Sequence, residues 1–123
     1  MSKQLHRVPP GVPKRRSKYG AIKVKDPKTG IIFDSKAEHR RFGELMLLAR
    51  AGQITTPAVH PEYTLSVNGT KIGKYKADFF YVENGKDVVE DVKSSPTMTT
   101  ASRLRMKVFR ACYPNIELRI IRA

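Results

Sequence analysis

The sequence is poor in cysteine and contains no long apolar run. Cys112 is the single cysteine, which excludes an intramolecular disulfide, and no Cys/His cluster has the spacing of a structural zinc site. No segment approaches the roughly 18 consecutive apolar residues that a membrane-spanning helix needs, and the first ten residues contain no hydrophobic signal region. We therefore expect a soluble protein of the cytoplasm without a membrane partner.

Acidic residues are scarce as well. The chain of 123 residues carries 11 Asp and Glu residues against 24 Lys and Arg residues, which gives a formal charge of +13. A chain of this length has room for one folded domain with one modest core. So large a positive charge suggests a polyanion as partner.

Many of the basic residues lie within positions 1–30, which we interpret as a partly flexible arm. Nine Lys and Arg residues precede position 29, Asp26 is the one acidic residue among them, and three prolines lie between positions 9 and 13. We expect Lys14, Arg15 and Arg16 to contact phosphates of DNA. The alternative is a solvated tail that serves solubility alone. Residues 31–123 then form the folded domain.

A first helix is expected from about 35 to 51. Ser35 and Glu38 have the spacing of a capping box, and Gly52 supplies a stop. The apolar stripe of this helix consists of Phe42, Leu45, Met46 and Ala49. Glu38 lies on the same stripe, four residues before its first member, so we expect a buried carboxylate there. The alternative is that Glu38 serves the helix cap alone.

Three segments with strand periodicity follow the first helix. They lie near 62–67, 71–82 and 86–93, and Asn-Gly dipeptides separate them at 68–69 and 84–85. Asn-Gly favours the positive backbone angles of tight hairpin turns, so the three strands should form an antiparallel meander.

A second helix is expected between Pro96, where a helix can begin, and Pro114, which forbids its continuation. Its apolar stripe consists of Ala101, Leu104, Val108 and Ala111. Its basic residues are Arg103, Lys107 and Arg110, which we expect to contact the DNA backbone, the alternative being a solvated face.

A half-buried strand over 116–121 ends the chain, and a right-handed crossover would make it parallel to a strand of the meander. The order of elements predicts an α/β fold with a mixed sheet between helices.

A group of charged residues within the strands points to chemistry. Asp91 and Lys93 lie two residues apart and share one face of their strand, and the neighbouring strand brings Asp78 towards them. Carboxylates are the hard oxygen ligands that Mg²⁺ prefers, and a nearby ammonium can position the attacking water or neutralise developing charge. These residue types suit phosphodiester hydrolysis. The alternative is that Asp91 and Lys93 form only an exposed ion pair.

The segments SKAEHRRFGELMLLARAGQI and YKADFFYVENGKDVVEDVKSS stand in the order and spacing of the PD-(D/E)XK nuclease superfamily. Over about residues 31–123 the chain resembles its small phage-encoded members, in particular the endonucleases of the junction-resolvase-like branch. The resemblance implies a restriction-endonuclease-like core with the element order αβββαβ. Glu38 resembles the Glu that the first helix of that core contributes, and Asp78 resembles the Asp of the PD element.

In the same resemblance Asp91 and Lys93 match the acidic residue and the Lys of the (D/E)XK element. The sequence departs from the pattern at Ala77, which stands in the place of the Pro, and Glu90 is an alternative to Asp91 as the acidic residue.

The resemblance implies a nuclease that hydrolyses DNA with Mg²⁺, for which Mn²⁺ substitutes. Asp78, Asp91 and Glu38 would hold the metal and Lys93 would polarise the nucleophile. A homodimer acting on phage-type DNA recombination, repair or processing, including branched DNA, is the expected context. The alternatives are a non-catalytic nucleic-acid-binding protein of the same fold and an RNA-packing protein. We expect His60 to be an ordinary loop histidine.

Overall fold

The computed structural model describes residues 22–93 and 98–123. Within these residues the elements are β1 Val24–Lys25, β2 Ile32–Phe33, α1 Lys36–Arg50, β3 Ala58–Val59, β4 Glu62–Val67, β5 Thr70–Lys76, β6 Phe79–Glu83, β7 Lys86–Lys93, α2 Thr100–Cys112 and β8 Glu117–Arg122.

A four-stranded mixed sheet in the order β3-β6-β7-β8 is the centre of the fold. Strands β6 and β7 are antiparallel and are joined at Asn84 and Gly85, whose φ angles of 52° and 78° are those of a tight hairpin turn. Strand β8 follows α2 and is parallel to β7, as a crossover connection predicts. The expected α/β class with a mixed sheet and two main helices is confirmed.

The expected three-stranded meander is wrong. The segment predicted as one strand over 71–82 is divided into β5 and β6, and β4 and β5 form a separate two-stranded sheet. The division lies at Ala77 and Asp78, where the backbone changes partner: the Ala77 N–H donates to the Pro61 carbonyl at 3.0 Å, and the Asp78 N–H donates to the Glu90 carbonyl at 3.0 Å. Alternation of side chains continues through this junction, so periodicity alone does not reveal it.

The main sheet is packed between two layers. On one face the core consists of Phe33, Phe42, Leu45, Ile54, Phe79, Tyr81 and Val88, with α1 as the covering helix. On the other face it consists of Leu65, Tyr75, Ala77, Val89, Met106 and Phe109, with α2 and the β4–β5 hairpin as the cover. Successive residues of β7 therefore face different layers, which is the geometry that places Glu90 and Asp91 on opposite sides.

The second helix packs through a different stripe from the expected one. Met106 and Phe109 are the buried residues of α2. Phe109 packs against Tyr63 and Tyr75 with ring centroids 5.0 Å apart in both cases. Of the predicted stripe, Val108 is half-buried, whereas Ala101, Leu104 and Ala111 are exposed. Both stripes have helical spacing, and the larger Phe and Met side chains remove more apolar area from water, so their stripe faces the core.

The boundaries of the helices follow from their caps. Ser35 caps α1 as predicted, since its Oγ accepts from the Glu38 N–H at 3.1 Å, and Gly52 follows the helix with a φ of 79°. Helix α2 begins at Thr100 with Thr99 as its N-cap, later than predicted. Pro96 lies outside the described residues. In the described part of the chain, neither helix has the length and apolar character needed to cross a bilayer.

The described end of the predicted arm packs against α1. Strand β1 pairs antiparallel with β2, and the Asp26 Oδ1 lies 2.8 Å from the His39 Nε2. Hydrogen bonds from His39 and then Thr29 lower the pKa of Asp26 to about 2. Lys14, Arg15 and Arg16 lie outside the described residues.

Candidate functional site

Asp78 occupies the junction between β5 and β6, where three backbone and side-chain contacts fix it. Its N–H donates to the Glu90 carbonyl at 3.0 Å, and its own carbonyl accepts from the His60 N–H at 2.9 Å. Its Oδ2 accepts from the Val92 N–H at 2.6 Å. The carboxylate is therefore held against β7 and directed to the end of the strand that carries Asp91.

Asp91 lies on the α2 face of β7 and is 7% exposed. The Tyr75 hydroxyl donates to its Oδ2 at 2.6 Å, and the Lys93 Nζ lies 3.4 Å from its Oδ1. Burial, together with the negative charge of Asp91, raises the pKa of Tyr75, so this hydroxyl remains a hydrogen-bond donor. Tyr75 thus orients one carboxylate oxygen while the other faces Lys93.

Glu38 lies in the first turn of α1 and is 8% exposed, as the sequence predicts. Its Oε1 is 3.4 Å from the His60 Nε2, so the carboxylate contacts a side chain from outside its own helix. Burial, and secondarily the charge of Asp34, raises the pKa of Glu38, while the hydrogen bond with His60 opposes this increase. The Glu38 carboxylate therefore contacts His60 as well as the backbone at Asp34, just before the helix, and does not serve the helix cap alone.

The four side chains predicted as catalytic line a single cavity of about 340 Å³. They are Glu38, Asp78, Asp91 and Lys93. The wall also includes Lys74, Tyr75, Lys76, Ser102 and Arg105. Residues separated by 55 positions in the chain thus meet at one place, with three carboxylates facing a space that cationic side chains surround.

The electrostatics of this cavity favour a bound cation. Burial raises the pKa of Asp78 to about 8, with further increases from the charges of Glu38 and Asp91 and an opposing effect from the Val92 N–H. Neighbouring carboxylates in a partly buried site repel one another, and a divalent cation among them replaces this repulsion with attraction. Glu38, Asp78 and Asp91 offer hard oxygen ligands, and this donor set fits Mg²⁺ or Mn²⁺.

Glu90, the alternative acidic residue, lies on the opposite face of β7. It is completely buried and accepts from the Arg41 Nε at 2.8 Å, the Arg41 Nη2 at 2.6 Å and the Tyr81 hydroxyl at 2.5 Å. The same contacts raise the pKa of Arg41. The Glu90 carboxylate therefore belongs to a buried ion pair that joins β7 to α1. Asp91 is the acidic residue that faces the cavity.

His60 is a site residue that the sequence did not identify. It has a φ of 56°, in the left-handed region that non-glycine residues rarely adopt, and its N–H is bonded to the Asp78 carbonyl. Ligand atoms of Asp34, Glu38 and His60 lie within 4.8 Å of one another, so this group can also hold a cation. The available signal was the position of His60 directly before the first strand of the segment that carries Asp78.

The basic residues predicted on α2 are exposed, and they lie outside the cavity lining. These are Arg103, Lys107 and Arg110. Because α2 packs through Met106 and Phe109, the residues that it directs to the cavity are Ser102 and Arg105. Contacts of the three exposed residues with DNA remain a prediction.

Comparison with known proteins gives a match at the level of a family. A family model described as "Protein of unknown function (DUF1064)" matches residues 16–123. No curated protein and no solved structure matches the chain.

Proposed function

The chain belongs to the DUF1064 family, and from its candidate site we propose that it is a metal-dependent nuclease that hydrolyses phosphodiester bonds in DNA. The observation that carries this proposal is the cavity in which Glu38, Asp78 and Asp91 meet Lys93. Carboxylates that face phosphate would weaken simple backbone binding, whereas a nuclease needs them to hold its metal.

Five residues of the cavity have a role in the proposed reaction. Asp78 and Asp91 would be the principal ligands of a divalent cation, and Glu38 would complete the ligand set directly or through water. A divalent cation bound there supplies Lewis acidity at the scissile phosphate and lowers the pKa of the attacking water. Lys93, with its Nζ 3.4 Å from the Asp91 Oδ1, positions that water or neutralises charge that develops on the phosphate. Tyr75 orients Asp91 through its hydrogen bond of 2.6 Å.

The arrangement of the elements supports assignment to the PD-(D/E)XK superfamily. Helix α1 contributes the Glu, the β6–β7 hairpin places Asp78 beside Asp91 and Lys93, and α2 leads to the parallel strand β8. When only the strands of the main sheet are counted, the order α1, β3, β6, β7, α2, β8 supports the αβββαβ core that the sequence resemblance implies. The β4–β5 hairpin lies between β3 and β6 in the chain and forms a sheet of its own, which ends at the Ala77 junction.

The charge of the chain supports DNA as the substrate. A formal charge of +13, and the cations Lys74, Lys76 and Arg105 beside the carboxylates, provide electrostatic attraction for a polyanion around an acidic centre. From the resemblance to phage-encoded endonucleases we extend the proposal to cytoplasmic DNA recombination, repair or processing by a homodimer. The second candidate is a non-catalytic nucleic-acid-binding protein of this fold. In that case the contact between Lys93 and Asp91 is a simple ion pair without a catalytic role.

The proposal is tested by incubating the purified chain with end-labelled single-stranded, duplex, overhang and four-way-junction DNA. Reactions contain Mg²⁺, Mn²⁺, Ca²⁺ or EDTA. We expect products with Mg²⁺ and Mn²⁺ and none with EDTA, because the carboxylates need a cation to act on phosphate. Equal cleavage in EDTA would contradict the proposed mechanism. Salt-sensitive binding without products in any metal, on any of these substrates, would establish the binding-protein alternative.

A further inference from the structure

A second groove, of about 400 Å³, adjoins the catalytic cavity between the β4–β5 hairpin and α2. Its apolar wall includes Leu65, Ile72, Leu104 and Val108. Lys74 and Arg105 line both this groove and the cavity that contains Asp78 and Asp91. The groove therefore begins where the proposed site for the scissile phosphate ends, and two cations lie at the boundary.

Local backbone geometry keeps two apolar side chains of this groove, Ile72 and Leu104, in contact with solvent. Leu104 is 61% exposed, and it belongs to the stripe of α2 that does not face the core. Ile72 is 55% exposed. The β4–β5 register pairs Ser66 with Lys71 and Leu65 with Gly73, which leaves Ile72 as the extra residue of a β-bulge. Bulges redirect side chains and are common next to active sites.

Gly73 keeps the floor of the groove open. A Cβ added at this position would meet no heavy atom of the described residues within 4 Å. Glycine within a strand weakens the strand, and it often marks a place where a ligand approaches the backbone closely. The bulge and the glycine of β5 and the exposed stripe of α2 therefore line one groove.

The chemistry of the groove identifies its occupant. A nucleobase has large apolar faces and is attached to anionic phosphates, so an apolar groove with cations at one end is complementary to it. Ile72 and Leu104 provide the apolar walls, and Lys74 and Arg105 provide the cations on the side of the catalytic cavity. Bases within a duplex are stacked and paired, so only an unpaired nucleotide can present its faces to such a groove.

We propose that the groove binds an unpaired nucleotide next to the phosphate that is cleaved, so that the substrate is DNA with single-stranded or unpaired nucleotides at the cut. This inference rests on the proposed nuclease function in one respect: the strand is taken to run from the groove into the cavity because the cavity is the proposed site of cleavage. The binding step itself needs no catalysis and can be measured separately.

The test compares three fluorescein-labelled DNAs in EDTA: a duplex with a single-stranded overhang, the same duplex with an abasic overhang, and a blunt duplex. The abasic overhang keeps the phosphate charges and removes the bases. The abasic overhang has no base to bury against the apolar walls, so the full chain should bind the normal overhang about tenfold more tightly than the abasic one. Equal binding of the two overhangs would overturn the proposal.

Two variants locate the binding of the base. Gly73→Val fills the groove, and because a β-branched residue suits a strand and space is open there, the variant should stay folded. Leu104→Ser removes one apolar wall. Both should eliminate the difference between normal and abasic overhangs. Leu47→Ser is the matched control, since Leu47 lies on α1 and is 62% exposed, and it should retain the difference.

Failure of this inference can be distinguished from failure of the nuclease proposal. Metal-dependent cleavage of blunt duplex, with overhang binding that is unaffected by Gly73→Val and Leu104→Ser, would overturn the groove and leave the nuclease in place. Base-dependent binding that both variants abolish, without cleavage in any metal, would support the groove and contradict the nuclease. If a peptide occupied the groove and the binding of the normal overhang stayed the same, the inference would also be overturned.

Discussion

Asp91→Asn and Asp78→Asn are each expected to lower the single-turnover rate of DNA cleavage by about 10³-fold in Mg²⁺. Each change keeps the shape of the side chain and removes a negative charge that the metal needs. Rates should be measured with enzyme in excess, and binding should be followed in Ca²⁺ by anisotropy, where both variants should bind DNA at least as well as the wild type. A loss of less than tenfold in both variants would remove these residues from the metal site.

Asp78→Asn should be folded and, without metal, no less stable than the wild type. The pKa of Asp78 is raised from 3.8 to about 8 by burial and by the charges of Glu38 and Asp91, so its ionised form opposes folding. Between these values the folded chain binds more protons than the unfolded chain, and the free energy of unfolding therefore falls as pH rises through this window. Asp78→Asn should make that pH dependence shallower, as measured by urea denaturation in EDTA.

Other titratable and charged groups surround Asp78 and contribute to the measured pH dependence. Helix α1 contributes Glu38, and the segment between β3 and β4 contributes His60. Strands β5 and β7 and helix α2 contribute the others, which are Lys74, Tyr75, Lys76, Asp91, Lys93 and Arg105. The comparison of wild type with Asp78→Asn isolates the effect of Asp78, because these groups are common to both chains. An equally steep pH dependence in the variant would contradict the raised pKa.

Glu90→Ala is expected to lower the free energy of unfolding by about 3–5 kcal/mol. Glu90 is adjacent to Asp91 in the chain, but its role is structural. Its carboxylate is completely buried and accepts hydrogen bonds from Arg41 and Tyr81, so removal leaves the Arg41 Nε and Nη2 and the Tyr81 hydroxyl without this acceptor. The measurement is urea denaturation, and Arg41→Met should have an effect in the same direction.

Glu44→Ala is the control for the ion pair. Glu44 also contacts Arg41, at 3.0 Å, but its side chain is 54% exposed, so its loss should change the stability by at most about 1 kcal/mol. Equal effects of the Glu44 and Glu90 substitutions would show that the buried ion pair does not stabilise the contact between α1 and β7.

The sequence predicted the elements around the site better than the connections between them. Helical spacing placed Glu38 on the buried stripe of α1, and strand alternation placed Asp91 and Lys93 on one face, because both depend on periods of the local backbone. All three line one cavity together with Asp78, and their roles there stay a prediction. Periodicity could not show that the chain changes partner at Ala77, because the alternation of side chains is the same on both sides of the junction.

Tertiary packing decided the remaining features. Two stripes of α2 have helical spacing, and only the packing of Phe109 against tyrosines from β4 and β5 selects the buried one. The choice between Glu90 and Asp91 required the position of Arg41, which lies 49 residues before Glu90 in the chain. His60 contacts Glu38 through its side chain and Asp78 through its backbone, and neither contact has a local signature.

The most direct test of the central claim is the single-turnover cleavage rate of Lys93→Met in Mg²⁺, with Lys86→Met as the matched control. Lys86 lies on the same strand and is exposed, at the end opposite to the cavity. Removal of one preorganised cation from the reacting phosphate should lower the rate by about 10²-fold or more for Lys93→Met, with unchanged binding in Ca²⁺. Lys86→Met should cleave at the wild-type rate. Equal rates for the two variants, or an absence of metal-dependent products from the wild type, would contradict the assignment of this cavity as a nuclease site.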